Sequence, residues 1–169
     1  MSLVGFKAQN HTQQVAKRGP EDEVDDRGTP QDFWDELNAV HHFTLDVAAA
    51  PHNAKTPAYY TRLADGLLQP WTGSVWCNPP YSGLNNWLAK AWSEWIRPGG
   101  PECIVMLLPA NRPEQPWWQN WVEPNRDKFG SPRRVTVLPG RLRFIKPGAT
   151  EVKPNERPPF GCCLLVWSR

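Results

Sequence analysis

Proline content limits the folds open to this chain more than any other feature of its sequence. Nineteen of the 169 residues are proline, about twice the usual share in globular proteins. Because proline lacks a backbone N–H and clashes with the preceding turn of a helix, this density excludes a helical bundle or a coiled coil. It predicts short helices and strands joined by stiff turns, around a core supplied by the 40% of residues that are hydrophobic.

Strand and helix patterns alternate along the chain after residue 28. A helix is predicted from Thr29, as N-cap, to the His41-His42 pair, and others around Trp87–Ile96 and Trp117–Val122. The predicted strands are 43–48, 74–77, 103–108, 133–138, 142–145 and 160–167. Since the run 103–108 is apolar throughout, it is typical of a strand buried on both faces. The alternation predicts an α/β sheet with a parallel centre, closed by an antiparallel pair of 142–145 with 160–167.

Polar residues stand at the ends of three predicted strands. Asp46 interrupts the first, Asn78 follows the second, and Asn111 comes shortly after the run 103–108. In α/β sheets with parallel strands, ligands bind beyond the carboxyl ends of the strands. We therefore expect these residues to converge on one cleft, with some of the ten tryptophans lining it.

Charge divides the chain into three parts. Residues 1–28 carry a net charge of −1 and little apolar pattern, which predicts a disordered polar tail before a single domain at 29–169. Residues 29–125 carry five basic and nine acidic side chains, and residues 126–169 carry ten and three, for net charges of −4 and +7. The last part is a candidate polyanion-binding face. The alternative is an ordinary solvated surface.

Several classes of protein and site are not expected. No apolar run approaches the roughly 18–20 residues that span a bilayer, and the N-terminal residues lack the apolar stretch of a secretory signal. We therefore expect a cytoplasmic protein without a membrane partner. The four cysteines form no CxxC pair, which predicts buried reduced thiols rather than a metal site or a disulfide framework.

The string CNPPYS at 77–82 carries the strongest chemical signal. Pro79 and Pro80 fix the backbone and remove two N–H donors, which leaves carbonyl acceptors beside the amide oxygen of Asn78. A planar ligand could donate the two hydrogens of an amino group to Asn78 and to the Pro79 carbonyl while its ring stacks on Tyr81. Such contacts would free the nitrogen lone pair for nucleophilic attack. The alternative is an ordinary proline turn with a core tyrosine.

The chain resembles the phage-type Dam adenine DNA methyltransferases, within the wider amino-methyltransferase superfamily. The residues that carry the resemblance are Thr29-Pro30, LDVAA (45–49), ADGLLQPW (64–71), VWCNPPY (75–81), VMLLPANR (105–112), PGRLRF (139–144) and PPFGCCLLVW (158–167). It covers about residues 28–167. It implies a Rossmann-like, mostly parallel sheet flanked by helices, S-adenosyl-L-methionine (AdoMet) as cofactor, and methyl transfer to the exocyclic amine of a flipped adenine in DNA.

The resemblance also assigns cofactor-binding residues. It places Thr29-Pro30 against the methionine end of AdoMet, Asp46 with Val47 and Ala48 near its ammonium group, and Asp65-Gly66 at the amino group of its adenine. The acids suit a cationic cofactor. The residue-level alternatives are that Asp46 is an N-cap and that Asp65 is a turn former.

Two features depart from the superfamily pattern. No glycine-rich turn follows Asp46, and no acid between Asp46 and Asp65 stands where the ribose hydroxyls are usually bound. Asn53 or Lys55 could replace that acid.

DNA contacts are expected from the basic C-terminal part and from aromatic residues. Tyr81 would stack on the flipped base, and Trp117, Trp118 or Trp87 could supply a second contact unless they belong to the core. The candidate phosphate contacts are Arg112, Arg133, Arg134, Arg141, Arg143 and Lys146. Since no separate recognition domain follows, we expect short-site specificity from the loops 111–120 and 146–158, in a monomer or weak dimer.

Two other functions remain open from the sequence. The chain could be a methyltransferase that uses the same corner at 77–82 to bind another amino group, in an RNA base, in cytosine or in a protein glutamine. Alternatively, because the glycine-rich turn is missing, the chain could be a non-catalytic nucleic-acid-binding module.

Overall fold

The computed structural model of the protein describes residues 25, 27–126, 128, 133–146, 148–149 and 160–169. Three helices lie in these ranges: α1 (Gln31–His41), α2 (Leu84–Ile96) and α3 (Pro116–Trp121). The strands are β1 (Leu45–Asp46), β2 (Ser74–Cys77), β3 (Cys103–Pro109), β4 (Arg133–Val137) and β5 (Cys162–Ser168). Short 3₁₀ turns cover Tyr81–Gly83 and Glu123–Asn125. Most of the predicted tail at 1–28, and most of the predicted recognition loop at 146–158, lie outside the described residues.

The five strands form one open sheet in the order β1-β2-β3-β5-β4. β1 pairs with β2 and β2 with β3 in parallel, whereas β5 pairs antiparallel with both β3 and β4. The connection through α2 is long enough to return the chain for a parallel pairing. With two parallel and two antiparallel pairings, the sheet is a mixed α/β sheet, and the prediction of a mostly parallel sheet is wrong.

Two local predictions are corrected. Residues 142–145 do not form a strand beside 160–167, because the backbone of Ile145 bonds instead to Gly28, with both N–H···O distances at 2.8 Å. β5 takes β3 and β4 as its antiparallel partners. Helix α1 has Pro30, not Thr29, at its N-cap position, and Thr29 is buried.

The core lies on both faces of β3. Ile104, Met106 and Leu108 pack into one apolar cluster, and Val105 and Leu107 into the other. All five side chains are fully buried, which confirms the prediction from the unbroken apolar run. Eight of the ten tryptophans are buried, and Trp76 and Trp87 also line the cavity described below. The four cysteines are unpaired and lie on β2, β3 and β5.

Arg133, at the start of β4, is a buried cation. It is 3% exposed, and its guanidinium donates to the carbonyls of Trp121 and Val122, the second at 2.5 Å. The guanidinium carbon also lies 5.1 Å from the ring centroid of Trp92 and 5.8 Å from that of Trp167. Burial lowers the pKa of Arg133 to about 10, so the side chain stays charged at neutral pH. It ties β4 to the end of α3.

Replacing Arg133 with methionine should destabilise the fold. The variant removes two hydrogen bonds from a charged donor, so the Trp121 carbonyl keeps the Trp92 indole N–H and the Val122 carbonyl keeps the Asn125 N–H, both at 3.3 Å. We expect it to lower the free energy of unfolding by about 2–4 kcal/mol. Denaturant unfolding of the purified protein measures this. Arg134→Ala is the matched control, because Arg134 is the exposed neighbour on the same strand and should change stability by no more than about 0.5 kcal/mol. Equal stability of the two variants would contradict the structural role of Arg133.

The described residues contain neither a membrane-spanning helix nor a metal-binding cluster. None of the helices described is both long and apolar enough to cross a membrane. Within the same part of the chain, no cluster of three or more His, Cys, Asp or Glu side chains could hold a metal ion.

Candidate active site

A cavity of about 940 Å³ lies at the carboxyl ends of β1 and β2, within the usual range of about 300–1,000 Å³ for ligand pockets. Its walls are the loop after β1, the segment 60–67, the corner after β2, and residues 25 and 27–29, which we call the N-terminal strap. Asp46, Asp65 and Asn78 all line it. The convergence predicted for Asp46 and Asn78 is therefore confirmed, whereas Asn111 does not line this cavity.

Asp46 is a buried carboxylate at the cavity wall. It is 3% exposed, and its two oxygens accept hydrogen bonds from the backbone N–H groups of Ala48 at 3.3 Å and Lys55 at 3.1 Å. These bonds shape the loop that replaces a glycine-rich turn. Burial raises the pKa of Asp46 to about 6, although the two backbone donors and the Lys55 charge act in the opposite direction. A buried acid in an open cavity fits a cationic ligand.

Asp65 lines the same cavity and lies in a tight turn. Its φ is 55°, and its side chain accepts the N–H of Leu67 at 3.1 Å. Gly66 packs against the end of β1 so closely that an added Cβ would lie 2.1 Å from the carbonyl oxygen of Val47. The turn therefore requires glycine at 66, and this packing brings Asp65 and Val47 to the same cavity.

The corner after β2 faces the same cavity through Asn78 and Pro80. The Asn78 side-chain Nδ2 donates to the carbonyl of Arg27 at 3.1 Å, which leaves Oδ1 as its acceptor. Ser82 binds the Asp25 carboxylate twice, through its N–H at 3.2 Å and through its hydroxyl. The N-terminal strap thus holds both ends of the corner.

Tyr81 lies outside the cavity wall among the described residues, in an aromatic cluster. Its ring centroid is 6.3 Å from that of Phe144, edge to face, and 6.0 Å from that of Phe160. The ring is half-buried. Burial, followed by the neighbouring Cys162 thiol, raises the pKa of Tyr81 well above its usual range. The phenol therefore stays neutral and cannot act as a base near neutral pH.

The other predicted cofactor residues are also near the cavity. Thr29, Val47, Ala48, Asn53, Lys55 and Gly66 line it, whereas Pro30 stands at the start of α1 and does not. The side-chain oxygen of Asn53 accepts the N–H of Ala50 at 2.7 Å, so it helps to shape the loop after β1. Lys55 is half-buried and donates to the side chain of Gln31 at 2.8 Å.

The predicted DNA contacts separate into three groups. Arg133 is committed to backbone carbonyls in the core, and Trp117 is 9% exposed within the core, so both are removed from the set. Arg134, Arg141 and Lys146 are exposed, and Arg112 and Arg143 are half-buried. The segment 141–146 is held beside the corner, because Ile145 pairs with Gly28 and Phe144 contacts Tyr81.

Sequence reasoning missed several cavity residues, among them Asp25, Arg27, Thr61 and Ser82. The first two fall in the segment whose composition predicts a tail. Arg27 acts through its backbone carbonyl, which no sequence pattern reveals. Thr61 lies two residues after Tyr59, which forms a parallel bridge with Asp46. This pairing is too short to produce a strand pattern in the sequence.

The fold and the site define a class of protein: an α/β protein with an acid-lined ligand cavity where its parallel strands end, beside a rigid corner of hydrogen-bond acceptors. Comparison with known families then identifies the chain more closely. The model of the DNA N-6-adenine-methyltransferase (Dam) family matches residues 17–169, and the chain belongs to this family. It is therefore an enzyme that methylates adenine in DNA. A search of curated proteins gave no match.

Proposed function

We propose that the enzyme binds AdoMet in the cavity between Asp46 and Asp65 and presents a flipped adenine to the corner at Asn78. One observation carries the proposal: the two acids and the corner share a single cavity. The family implies the use of AdoMet in general terms. The buried carboxylate of Asp46 fits such a cofactor, because the ammonium and sulfonium groups of AdoMet are cationic.

The residues of the corner would activate the adenine amino group. When bound, AdoMet supplies an electrophilic methyl group on a sulfonium. Asn78 Oδ1 would accept one N6 hydrogen and the Pro79 carbonyl the other, which draws the nitrogen out of conjugation with the ring. The Asn78 acceptor is fixed before reaction, since Nδ2 of Asn78 is already bound to Arg27. The proton of N6 leaves to solvent after attack, so no side chain is required as a base.

Flipping would bring the adenine beside the aromatic cluster. Extruding a base from a duplex costs a few kcal/mol, which stacking can partly offset. Tyr81 would supply a stacking surface whose position is fixed by Phe144 and Phe160. The exposed basic residues Arg141 and Lys146 would contact the phosphates on either side, because the segment that carries them is anchored beside the corner.

The sheet would be a reduced form of the Rossmann-like methyltransferase sheet. β1, β2 and β3 are parallel. An isolated parallel bridge between Tyr59 and Asp46 lies beside β1, where a further strand of such a sheet would pair. In Rossmann-like sheets, a residue that follows this outer strand binds the ribose hydroxyls. Thr61 holds that place and lines the cavity, so we propose it for the ribose contact beside Asn53 and Lys55.

Methyl transfer from tritiated AdoMet tests the proposed substrate and site together. Duplex DNA, RNA and a glutamine-containing protein are offered separately, and the labelled product is digested to identify the residue that carries the methyl group. We expect label in N6-methyladenine from DNA. Label in cytosine, in RNA or in glutamine would replace this proposal with the corresponding alternative.

Calorimetric titration with AdoMet tests the cofactor site independently of transfer. The proposal requires binding heat in the absence of DNA. A protein that binds DNA but neither binds AdoMet nor shows a thermal shift with it would be a non-catalytic binding module.

The pKa of Asp46 predicts a pH dependence of AdoMet binding. Because burial raises that pKa to about 6, the fraction of ionised Asp46 falls as the pH drops through 6, and the dissociation constant of AdoMet should rise. The increase in melting temperature caused by AdoMet should therefore be larger at pH 7.5 than at pH 5. In Asp46→Asn the increase should be small and nearly independent of pH. An equal pH dependence in both proteins would contradict the role of Asp46.

In the absence of cofactor, the raised pKa of Asp46 makes the folded enzyme less stable as the pH rises. A folded pKa above the unfolded value of about 3.9 means that Asp46 favours the fold most below pH 4. This contribution is lost as the pH rises through about 6. Hence, at this group, the stability of the free enzyme should fall as the pH rises, whereas the stabilisation that AdoMet adds should increase.

Three remaining expectations stand as proposals. We propose that residues 29–169 form one catalytic domain together with the N-terminal strap, that the enzyme is a monomer or weak dimer, and that it acts in the cytoplasm. Limited proteolysis tests the first, and light scattering of the purified protein tests the second.

A further inference from the structure

The corner at 78–82 has no backbone donors at its centre. Pro79 and Pro80 have no N–H groups, so the usual hydrogen bonds of a turn are missing at its centre. The two ends of the corner are instead bonded to the N-terminal strap. The Asn78 side chain donates to the Arg27 carbonyl, and Ser82 donates its N–H and its hydroxyl to Asp25.

The Arg27 carbonyl fixes which way the Asn78 amide faces. An acceptor at 3.1 Å from Nδ2 selects one of the two amide orientations, because the other would place Oδ1 against a carbonyl oxygen. Only the selected orientation leaves Oδ1 to accept from the substrate. The position of the Arg27 carbonyl therefore matters for methyl transfer, although the Arg27 side chain is not involved in this contact.

The strap itself is anchored on both sides of Arg27. Gly28 pairs with Ile145 through two hydrogen bonds of 2.8 Å, and Asp25 binds Ser82 on the other side. Without the Asp25 anchor, the anchor that remains for the Arg27 carbonyl among the described residues is the pairing of Gly28 with Ile145. Ser82 would also lose both bonds to the strap, and the 3₁₀ turn starting at Tyr81 would rely on its backbone bond from the Gly83 N–H to the Pro80 carbonyl, at 3.2 Å.

We propose that Asp25 is a positioning residue for methyl transfer, acting through Ser82 and the N-terminal strap to hold the Asn78 amide in its productive orientation. The inference rests on the proposed role of Asn78 as an acceptor for the substrate amine. It assigns Asp25 a geometric role and not a chemical one, since both of its oxygens accept hydrogen bonds from Ser82.

Steady-state kinetics of the full chain test this role with two variants of one residue. Asp25→Ala removes both bonds to Ser82, and we expect kcat to fall by roughly 10–100-fold, the cost of a misplacement near 1 Å. The dissociation constant of AdoMet and the melting temperature should change little. Asp25→Asn should restore most of kcat, because its amide can accept the Ser82 N–H and donate to the Ser82 hydroxyl. Glu36→Ala, which removes an exposed carboxylate on α1, is the control with unchanged kcat.

Three outcomes would overturn the inference. Unchanged kcat in Asp25→Ala would show that the strap does not position the corner. Equal loss in Asp25→Asn and Asp25→Ala would show that the charge of Asp25, and not its geometry, is required. A parallel loss of kcat, AdoMet binding and melting temperature would show a general structural role.

Ser82→Ala keeps the test decisive if Asp25→Ala does not fold. It removes the hydroxyl bond and retains the N–H bond, so we expect a smaller loss of kcat, with AdoMet binding unchanged. In the double variant Asp25→Ala/Ser82→Ala, kcat should be no lower than in Asp25→Ala, since the two groups act as one contact. Additive losses would contradict the coupling. If Asn78→Ala keeps its activity, the proposed acceptor role itself fails, whatever Asp25→Ala shows.

Discussion

Asn78→Ala should abolish methyl transfer while leaving the fold and the cofactor cavity in place. The substitution removes the one side-chain acceptor that the corner offers, and the loss of a fixed electrostatic contact of this kind costs about 10²–10³-fold in kcat. Asn78 is only half-buried, and within the described part of the chain its side-chain hydrogen bond is the one to the Arg27 carbonyl. We therefore expect a small change in melting temperature.

Single-turnover transfer of the tritiated methyl group separates this effect from binding. With enzyme and AdoMet in excess over DNA, the rate constant of the Asn78→Ala enzyme reports the chemical step alone. Asn78→Asp is the matched variant, because it keeps an acceptor oxygen but loses the donor to the Arg27 carbonyl. We expect it to be slower than the wild type and faster than Asn78→Ala. A wild-type rate in Asn78→Ala would exclude Asn78 from the reaction.

Gly66→Ala should weaken AdoMet binding by displacing residues that line the cavity. An added Cβ would lie 2.1 Å from the Val47 carbonyl oxygen and 3.2 Å from the ring of Trp87. Neither the end of β1 nor the buried indole can move away cheaply, and such overpacking costs about 1–3 kcal/mol. The displaced groups carry Asp65 and Val47, which both line the cavity. The dissociation constant of AdoMet should therefore rise by at least about 10-fold, which corresponds to 1.4 kcal/mol.

Gly161→Ala is the control for this substitution. Among the described residues, its added Cβ would meet the Gly140 carbonyl oxygen, at the ordinary contact distance of 3.7 Å. We expect AdoMet binding to Gly161→Ala to equal that of the wild type, by calorimetry at the same pH. The melting temperature of Gly66→Ala should fall by several degrees, at about 2–4 °C per kcal/mol for a chain of this size. Wild-type AdoMet affinity in Gly66→Ala would contradict the packing argument.

The sequence predicted best those elements whose character depends on local pattern. The unbroken apolar run at 103–108 and the strand at 74–77 are confirmed almost residue for residue. The wide apolar stripe around Trp87–Ile96 is confirmed as α2. In each case the hydrophobic pattern alone determines how the segment is buried.

Pairing between distant segments was the part that the sequence could not predict. Residues 142–145 have a strand-like composition, but the choice between β5 and Gly28 as their partner depends on where β4 lies. Insertion of β5 between β3 and β4 likewise depends on the tertiary arrangement, and it makes half of the pairings antiparallel. The local patterns for parallel and antiparallel central strands are too similar to separate the two.

The candidate site residues also divide into those that a local motif predicts and those that depend on contacts between distant segments. Asp46, Asp65 and Asn78 were found from motifs, and they line one cavity. The charge of Arg133 predicts a phosphate contact, but the side chain is buried between Trp92 and Trp167 and belongs to the core. The composition around Asp25 predicts a tail. Its two bonds to Ser82 span 57 positions, so no local sequence pattern indicates them.

Strand order also has a consequence for synthesis on the ribosome. β5 lies between β3 and β4 in the sheet, yet it is the last of the three to be translated. Until Cys162–Ser168 emerges, the apolar β3 exposes an unpaired edge and β4 has no neighbour with which to pair. The nascent polypeptide therefore completes its sheet late, and during translation it presents a surface suited to chaperone binding or to aggregation.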